Sequence, residues 1–464
     1  MAGFFSVAQT AIILTLLSIT LTGCIAEPQV HTNSTPFTAS ALTDTSVPGA
    51  VAPVTATSLA TATAPSLPTT TPLPSPAVTA SPRPSPTVLS ATSRQQLFEE
   101  VWRTVDENYL YRDFRGLDWQ MVRNEFEPQV AAIQTDAEFY TLLSNMVERL
   151  NDQHSRFLAP QAAEEEDVFS SGHEEQVGIG VIMVPATDGA MIQIVFPDSP
   201  ADHAGLRPRD RIVAVDGAPY NTIGDIQGPE GSQVRLTIIR PEEETRDVVL
   251  TRRHVEGRIE PFARRLAGDI GYLRITTLWV NDMDQQVSSE LETLVAQRPL
   301  KGLILDLRGN PGGWRNVLTG ILSHFVRGNV GVFFDKHQET PMVIETSRNP
   351  DLRGVPLAAL IDNRTASYAE LLAGILQVET GAYVIGAPSS GNTETIYAYE
   401  LMGGSRLWVA QEGFRLGNGV NLEGHGVQPD TLNNLDWTRF SEDNDPGILT
   451  ALQALDNRPA VGGE

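Results

Sequence analysis

The stretch P-L-A-A-L-I-D-N-R-T-A-S-Y-A-E-L-L-A-G-I-L, Pro356 to Leu376, decides how the rest of the chain is read. A strongly apolar run leads into a polar turn, and the turn opens a helix-like pattern. Buried strand, sharp turn carrying hydroxyls, helix: many enzymes present a nucleophilic serine in this way. Thr365 and Ser367 are the hydroxyls in the turn. A serine is inert without a base, so the chain must supply one.

Around this stretch, Ile259 to Asp430 alternates strand and helix patterns. Ile270–Ile275 reads as a strand and Asp282–Ala296 as a helix. Lys301–Arg308 is an apolar strand running into G-N-P-G-G, Gly309 to Gly313. Regular alternation predicts an α/β layered core. No G-x-S-x-G elbow is present, which disfavours an α/β-hydrolase.

Upstream, Phe98, Val101, Trp102, Val105 and Tyr109 recur at helical spacing, and Thr135-Asp-Ala-Glu138 is a capping box. This helical unit ends in L-N-D-Q-H-S-R-F-L, Leu150 to Leu158. Short β patterns follow, with S-P-A-D-H-A-G-L-R-P-R-D-R-I-V-A-V-D-G over Ser199–Gly217. That run resembles a PDZ domain. The resemblance makes Gly178, Ile179 and Gly180 the loop that holds a peptide C-terminal carboxylate, with the adjoining strand pairing the peptide. A PDZ fold that only packs or gates is the alternative.

The N-terminus has an apolar run, Ala11–Leu21, too short to span a bilayer and suited to an export signal. Leu21-Thr22-Gly23-Cys24 resembles a bacterial lipobox with Cys24 as the lipidated residue, although no Lys or Arg precedes the run. From Ile25 to about Thr92 the chain is Thr, Ser, Ala and Pro with hardly a charge, a composition that cannot fold. Extended at about 3.1 Å per residue, it would reach at most about 200 Å.

The expected organisation is a lipoprotein-type signal peptide over 1–24 and a tether over 25–93, then a helical domain over 94–165. A PDZ domain over 174–254, a catalytic core over 255–445 and a C-terminal tail over 446–464 follow. The expected location is outside the cytoplasm, anchored to the cell membrane, or secreted if Cys24 is not lipidated. A formal net charge of −24 over 464 residues argues against a nucleic-acid partner. The single cysteine forbids an intrachain disulfide, and no Cys/His cluster has metal-ligand spacing. No cofactor is expected.

The order helical unit, PDZ, D-L-R-G-N-P-G-G, N-R-T-A-S-Y-A-E resembles the C-terminal processing and tricorn-core serine peptidases, whose core is a ClpP/crotonase-like layered fold. In the processing branch the serine lies in S-A-S-A-S-E. Aligned on the glutamate, Ser367 takes the nucleophile's place and Glu370 the glutamate's. That branch uses a lysine base in F-G-K-G, which would fall at position 392. This chain has Asn392 there, and no lysine follows Ser367. A neutral amide is no general base.

The tricorn branch uses a histidine at the end of the helical unit, supported by a glutamate in E-x-x-G-x-x-P-D. The resemblance makes His154 the base and Glu423 its partner. A serine precedes the histidine in that branch, where this chain has Gln153; Ser155 is a weak substitute. His425 is the rival base and Glu394 the rival partner. By resemblance the oxyanion hole is the Tyr368 amide with a glycine of Gly312-Gly313.

The expected activity is hydrolysis of peptide bonds by a serine endopeptidase, with protein or peptide substrates and the membrane as partners. Further copies of the chain are an open addition. A catalytically silent peptide-binding protein of the same fold is the alternative, and an acyl-CoA enzyme of the crotonase kind is disfavoured by the PDZ and tether.

Overall fold

The computed structural model describes residues 88–346 and 348–457. Cys24, the export signal and nearly all of the expected tether lie outside these residues. Among the described residues no helix is long and apolar enough to cross a membrane.

Three helices form the N-terminal unit: Ala91–Asn108, Trp119–Val130 and Asp136–Glu148. The first starts three positions before the expected Arg94, because Ser90 accepts from the Ser93 amide and caps it. The Thr135–Glu138 capping box is present. Phe98, Val101, Phe139 and Met146 bury their apolar stripe against Leu407, Val409 and Ala410 of a distant strand. This unit therefore shares its core with a sheet built from the far end of the chain. Arg156–Leu158 even joins that sheet, with Phe157 opposite Leu407.

The PDZ segment enters and leaves through an antiparallel ribbon, His173–Gly178 with Arg253–Arg258. Its own sheet runs in the order Val181–Ala186, Gly189–Val195, Arg211–Val215, Gln233–Ile239, Arg246–Thr251. Ile192, Ile212, Leu236 and Ile238 are fully buried within it.

The main sheet runs Phe262–Arg265, Ile270–Arg274, Gly302–Asp306, Leu357–Ile361, Tyr383–Gly386, Thr431–Leu432. All neighbours are parallel except the first pair. Alternate side chains face opposite layers. Leu303, Leu305, Leu357 and Ala359 meet Val287, Leu318 and Leu371 of three helices, Met283–Gln297, Arg315–Leu322 and Tyr368–Thr380. Ile304, Ala358 and Leu360 meet Ile448, Ala451 and Leu455 on the other face.

These last three belong to a helix, Pro446–Asp456, where a tail was expected. Asp445 caps it, Pro446 opens it, and the stripe at 448, 451 and 455 seals the sheet. A second sheet joins Arg156–Leu158, Arg406–Leu416, Gly328–Phe334 and Glu339–Ile344, with Thr395–Glu400 also on Arg406–Leu416. The fold is the expected layered α/β core with an inserted PDZ domain.

Candidate active site

Ser367 is the residue before the Tyr368–Thr380 helix, at φ +55° and ψ −131°. That backbone is strained for a non-glycine residue and needs outside support. The support is visible. The Ser367 amide donates to the Asn392 carbonyl at 2.7 Å and to Glu370 Oε2 at 3.0 Å. Glu370, fully buried, also accepts from Ser389 Oγ at 2.6 Å, Gly391 N at 2.6 Å and Asn392 N at 2.9 Å. Burial pushes the Glu370 carboxyl up, and these donors pull it back. One carboxylate thus pins the 389–392 loop to the helix start that carries Ser367.

Thr365 has no spare hydroxyl. Its Oγ1 donates to the Leu307 carbonyl at 2.9 Å and accepts from the Asp362 amide at 3.0 Å. Ser367 is half-buried, and no hydrogen bond joins its Oγ to His154.

The glycine turn lies against the serine. The Ala366 amide donates to the Asn310 carbonyl at 2.9 Å. A Cβ on Gly312, φ +88°, would sit 2.6 Å from Ser367 Cβ and 2.9 Å from the Tyr368 amide nitrogen. The Gly312 amide is already taken by Asn310 Oδ1 at 2.9 Å. The Tyr368 and Gly313 amides have no acceptor among the described residues. Of the two expected glycines, Gly313 offers the free donor and Gly312 the close approach. Trp314, next in the chain, packs on Trp279 and Trp408 with ring centroids 4.9 and 6.1 Å away.

His154 arrives from the other side. Asp152 Oδ1 accepts from the His154 amide at 2.9 Å and the Ser155 amide at 2.5 Å. Ser155 Oγ donates to Asp152 Oδ2 and accepts from the Ala410 amide at 3.1 Å. Ser155 is therefore a bracket for the strand Arg156–Leu158, and its hydroxyl is spent.

His154, only 6% exposed, places Nε2 3.6 Å from Glu423 Oε1 and 3.7 Å from Glu394 Oε2. The two carboxylates expected as alternatives flank one ring. Thr393 fixes Glu423 through its amide, 2.7 Å from Oε2. Arg115 at 2.6 Å and the Tyr111 hydroxyl hold Glu394 Oε1. Burial works against both charges. At Glu394 it wins and the carboxyl is pushed up, despite the pull of His154. At Glu423, His154 and the Thr393 amide outweigh it, and the carboxyl lies below its usual range.

Asn392 Nδ2 reaches Gln153 Oε1 at 3.2 Å, so this amide bridges the serine's loop to the histidine's. His425 is exposed, and its Nδ1 is turned back to the Glu423 carbonyl at 2.9 Å. The chain has two lysines. Lys301 pairs with Asp269, and Lys336 Nζ donates to the Asp106 carbonyl at 3.3 Å.

The sequence gives no sign of Tyr111 and Arg115, and marks Glu370 only as the glutamate of the serine motif, without its role in pinning the 389–392 loop. Glu370 had a signal, its place three residues after a helix-capping serine. Tyr111 and Arg115 had none, lying 283 and 279 positions from Glu394. In the PDZ loop, Gly180 has φ +79°, and the Ile179 and Gly180 amides find no acceptor among the described residues.

A serine at a strained helix start, unpaired amides beside it and a buried imidazole between carboxylates are the parts that serine-peptidase chemistry uses. The sequence profile of Peptidase family S41 matches residues 269–432, that of the Tricorn protease C1 domain 90–148, and that of the PDZ domain 195–240. The chain is 31% identical to the chloroplastic carboxyl-terminal-processing peptidase 2 of Arabidopsis thaliana, over 74% of this chain and 70% of that protein. It is 27% identical to the carboxyl-terminal-processing protease of Synechocystis sp., over 80% and 88%. The solved photosystem II D1 C-terminal processing protease matches at TM-score 0.52 and 25% identity, over 77% of this chain and 97% of that one. The chain belongs to the carboxyl-terminal-processing serine peptidases of family S41.

Proposed function

We infer that Ser367 attacks the scissile carbonyl, His154 takes and returns the proton, and Glu423 is the ionised group that steadies the imidazolium. The carrying observation is the buried His154 held by Glu423 and Glu394, with Asn392 serving as a bridge where the processing branch keeps its lysine. Both lysines of the chain are engaged elsewhere. The opposite pKa directions of the two carboxylates favour Glu423 as the charged partner. The Tyr368 and Gly313 amides receive the oxyanion. Substrates are proteins or peptides, taken at or near their C-termini as the relatives' names imply, outside the cytoplasm, by an enzyme tethered through Cys24.

Two PDZ roles are compatible with the geometry. The free Ile179 and Gly180 amides suit a carboxylate. Docking supports gating: Ile182 and Ile194 pack on the peptidase core, and Arg274 donates to the Gln193 carbonyl at 2.9 Å. Gly309, which opens the glycine turn, faces Gln193 and Val184.

A fluorophosphonate label tests the mechanism. Wild type should be labelled, Ser367→Ala not at all, and His154→Ala far more slowly than Asn392→Ala. Well-folded wild type that takes no label would instead be a silent binding protein.

A further inference from the structure

We propose that His154, Glu423 and Glu394 form a site for one divalent transition ion, Zn2+ above all, and that its occupancy switches the peptidase off. Occupancy is independent of catalysis; the inhibitory half rests on the role of His154 inferred above.

The three ligand atoms lie within 4.8 Å of one another. Nε2 stands 3.6 Å from Glu423 Oε1 and 3.7 Å from Glu394 Oε2. Tetrahedral zinc with N and O ligands at about 2.0–2.2 Å spaces them about 3.3–3.5 Å apart. The two spacings to Nε2 therefore need a contraction of only a few tenths of an ångström, and the carboxylate oxygens, within 4.8 Å of each other, close by at most about 1.5 Å.

Glu394 supplies an independent observation. Its side chain is 1% exposed, and its Oε2 is buried with no hydrogen-bond partner. Such an atom is costly to leave unpaired, and it is aimed at His154. Its other oxygen is held by Arg115 and Tyr111, and the second oxygen of Glu423 by Thr393. Each carboxylate thus has one oxygen anchored and one turned inward, as outer-shell partners orient metal ligands.

The donor set selects the ion. One imidazole and two carboxylates suit zinc and its neighbours, whereas calcium and magnesium favour oxygen alone. A dication also cancels the two carboxylate charges in a buried place. Three protein ligands leave a fourth position for water. An ion on Nε2 takes that nitrogen's electron pair and opposes protonation of the other ring nitrogen, so the imidazole can no longer accept the serine proton. A second cluster, Glu175, His254 and Glu256, is exposed throughout and serves as a control.

The probe is Zn2+ titrated calorimetrically into Ser367→Ala protein, which needs no activity. One tight site per chain is expected, weakened at least tenfold by adding His154→Ala, Glu394→Gln or Glu423→Gln, and unchanged by His254→Ala. Tyr111→Phe, which keeps the buried ring, should weaken it by about 10- to 100-fold. Unaltered zinc affinity in folded Glu394→Gln protein, or loss only in His254→Ala, overturns the site. Fluorophosphonate labelling of wild type should fall with Zn2+ and return with EDTA. Tight binding with undiminished labelling overturns the switch. Absence of labelling without zinc would instead sink the mechanism above, while the titration still decides the site.

Discussion

Glu423 and Glu394 contact the same ring nitrogen at nearly the same distance, yet their surroundings differ. Glu423 is held ionised, while the deeper Glu394 already spends one oxygen on Arg115. Glu423→Gln should therefore lower kcat/KM by roughly 10²- to 10⁴-fold, in line with loss of a triad carboxylate. Glu394→Gln should cost less; the reverse order in steady-state kinetics would give Glu394 the orienting role. Gly312→Ala is expected to cost roughly 10²- to 10³-fold in kcat with the fold retained, because the added Cβ displaces Ser367 from the oxyanion donors proposed above. Near-normal kcat in that variant would mean the turn lies outside the site. At this scale the sequence offers residue type and position: it favours Ser367 over Thr365 and, with Asn392 at the lysine's place, points to a distant histidine as the expected base. It ranks Glu423 ahead of Glu394 by motif alone; that both carboxylates flank one ring nitrogen of His154 emerges only through tertiary packing.

Among the elements, strands and turns were readable because strand sides and turn chemistry are local. D-L-R-G-N-P-G-G and N-R-T-A-S-Y-A-E announce two crossing turns by composition alone. The Pro446–Asp456 helix was missed, although D-P followed by Ile448, Ala451 and Leu455 is a cap and a stripe. Its purpose appears only with the sheet, whose second face, among the described residues, has in its apolar cluster besides this helix only Leu266 and the sheet's own side chains. Leu455→Ala should then destabilise by about 2–5 kcal/mol, read by chemical denaturation. A loss below about 0.5 kcal/mol, the range of surface changes, would restore the helix to a dispensable tail.

Across the whole molecule, one buried charge network binds the PDZ segment to the core. Arg209, at φ +75°, donates to Asp445 at 2.8 Å, and Arg308 contacts both Asp445 and Asp306. Burial would raise both carboxyls, but the arginines hold them down, Asp306 at about 2. Folded values below unfolded ones give stability that is complete above the ordinary Asp value of about 3.9. It is lost as pH falls towards about 2. Acid titration followed by near-UV circular dichroism should show cooperative loss in that window. Arg209→Ala should cost less than the about 3–5 kcal/mol of a fully orphaned buried charge, since Arg308 remains. It should also raise the pH of that loss; an unchanged acid transition would remove Arg209 from the network. This network is not legible in the sequence, because its members come from three segments that share no local pattern.

The bracket between Ser155 and the Ala410 amide carries a consequence in time. These residues are 255 positions apart. At about 5–20 residues per second of synthesis, roughly 13 to 50 s separate their emergence from the ribosome. Until then the strand after His154 has no neighbour, and the helices' apolar stripe has no lid. The unit that carries His154 therefore completes its sheet only after Arg406–Leu416 has been made, and the activity proposed above would wait on that step.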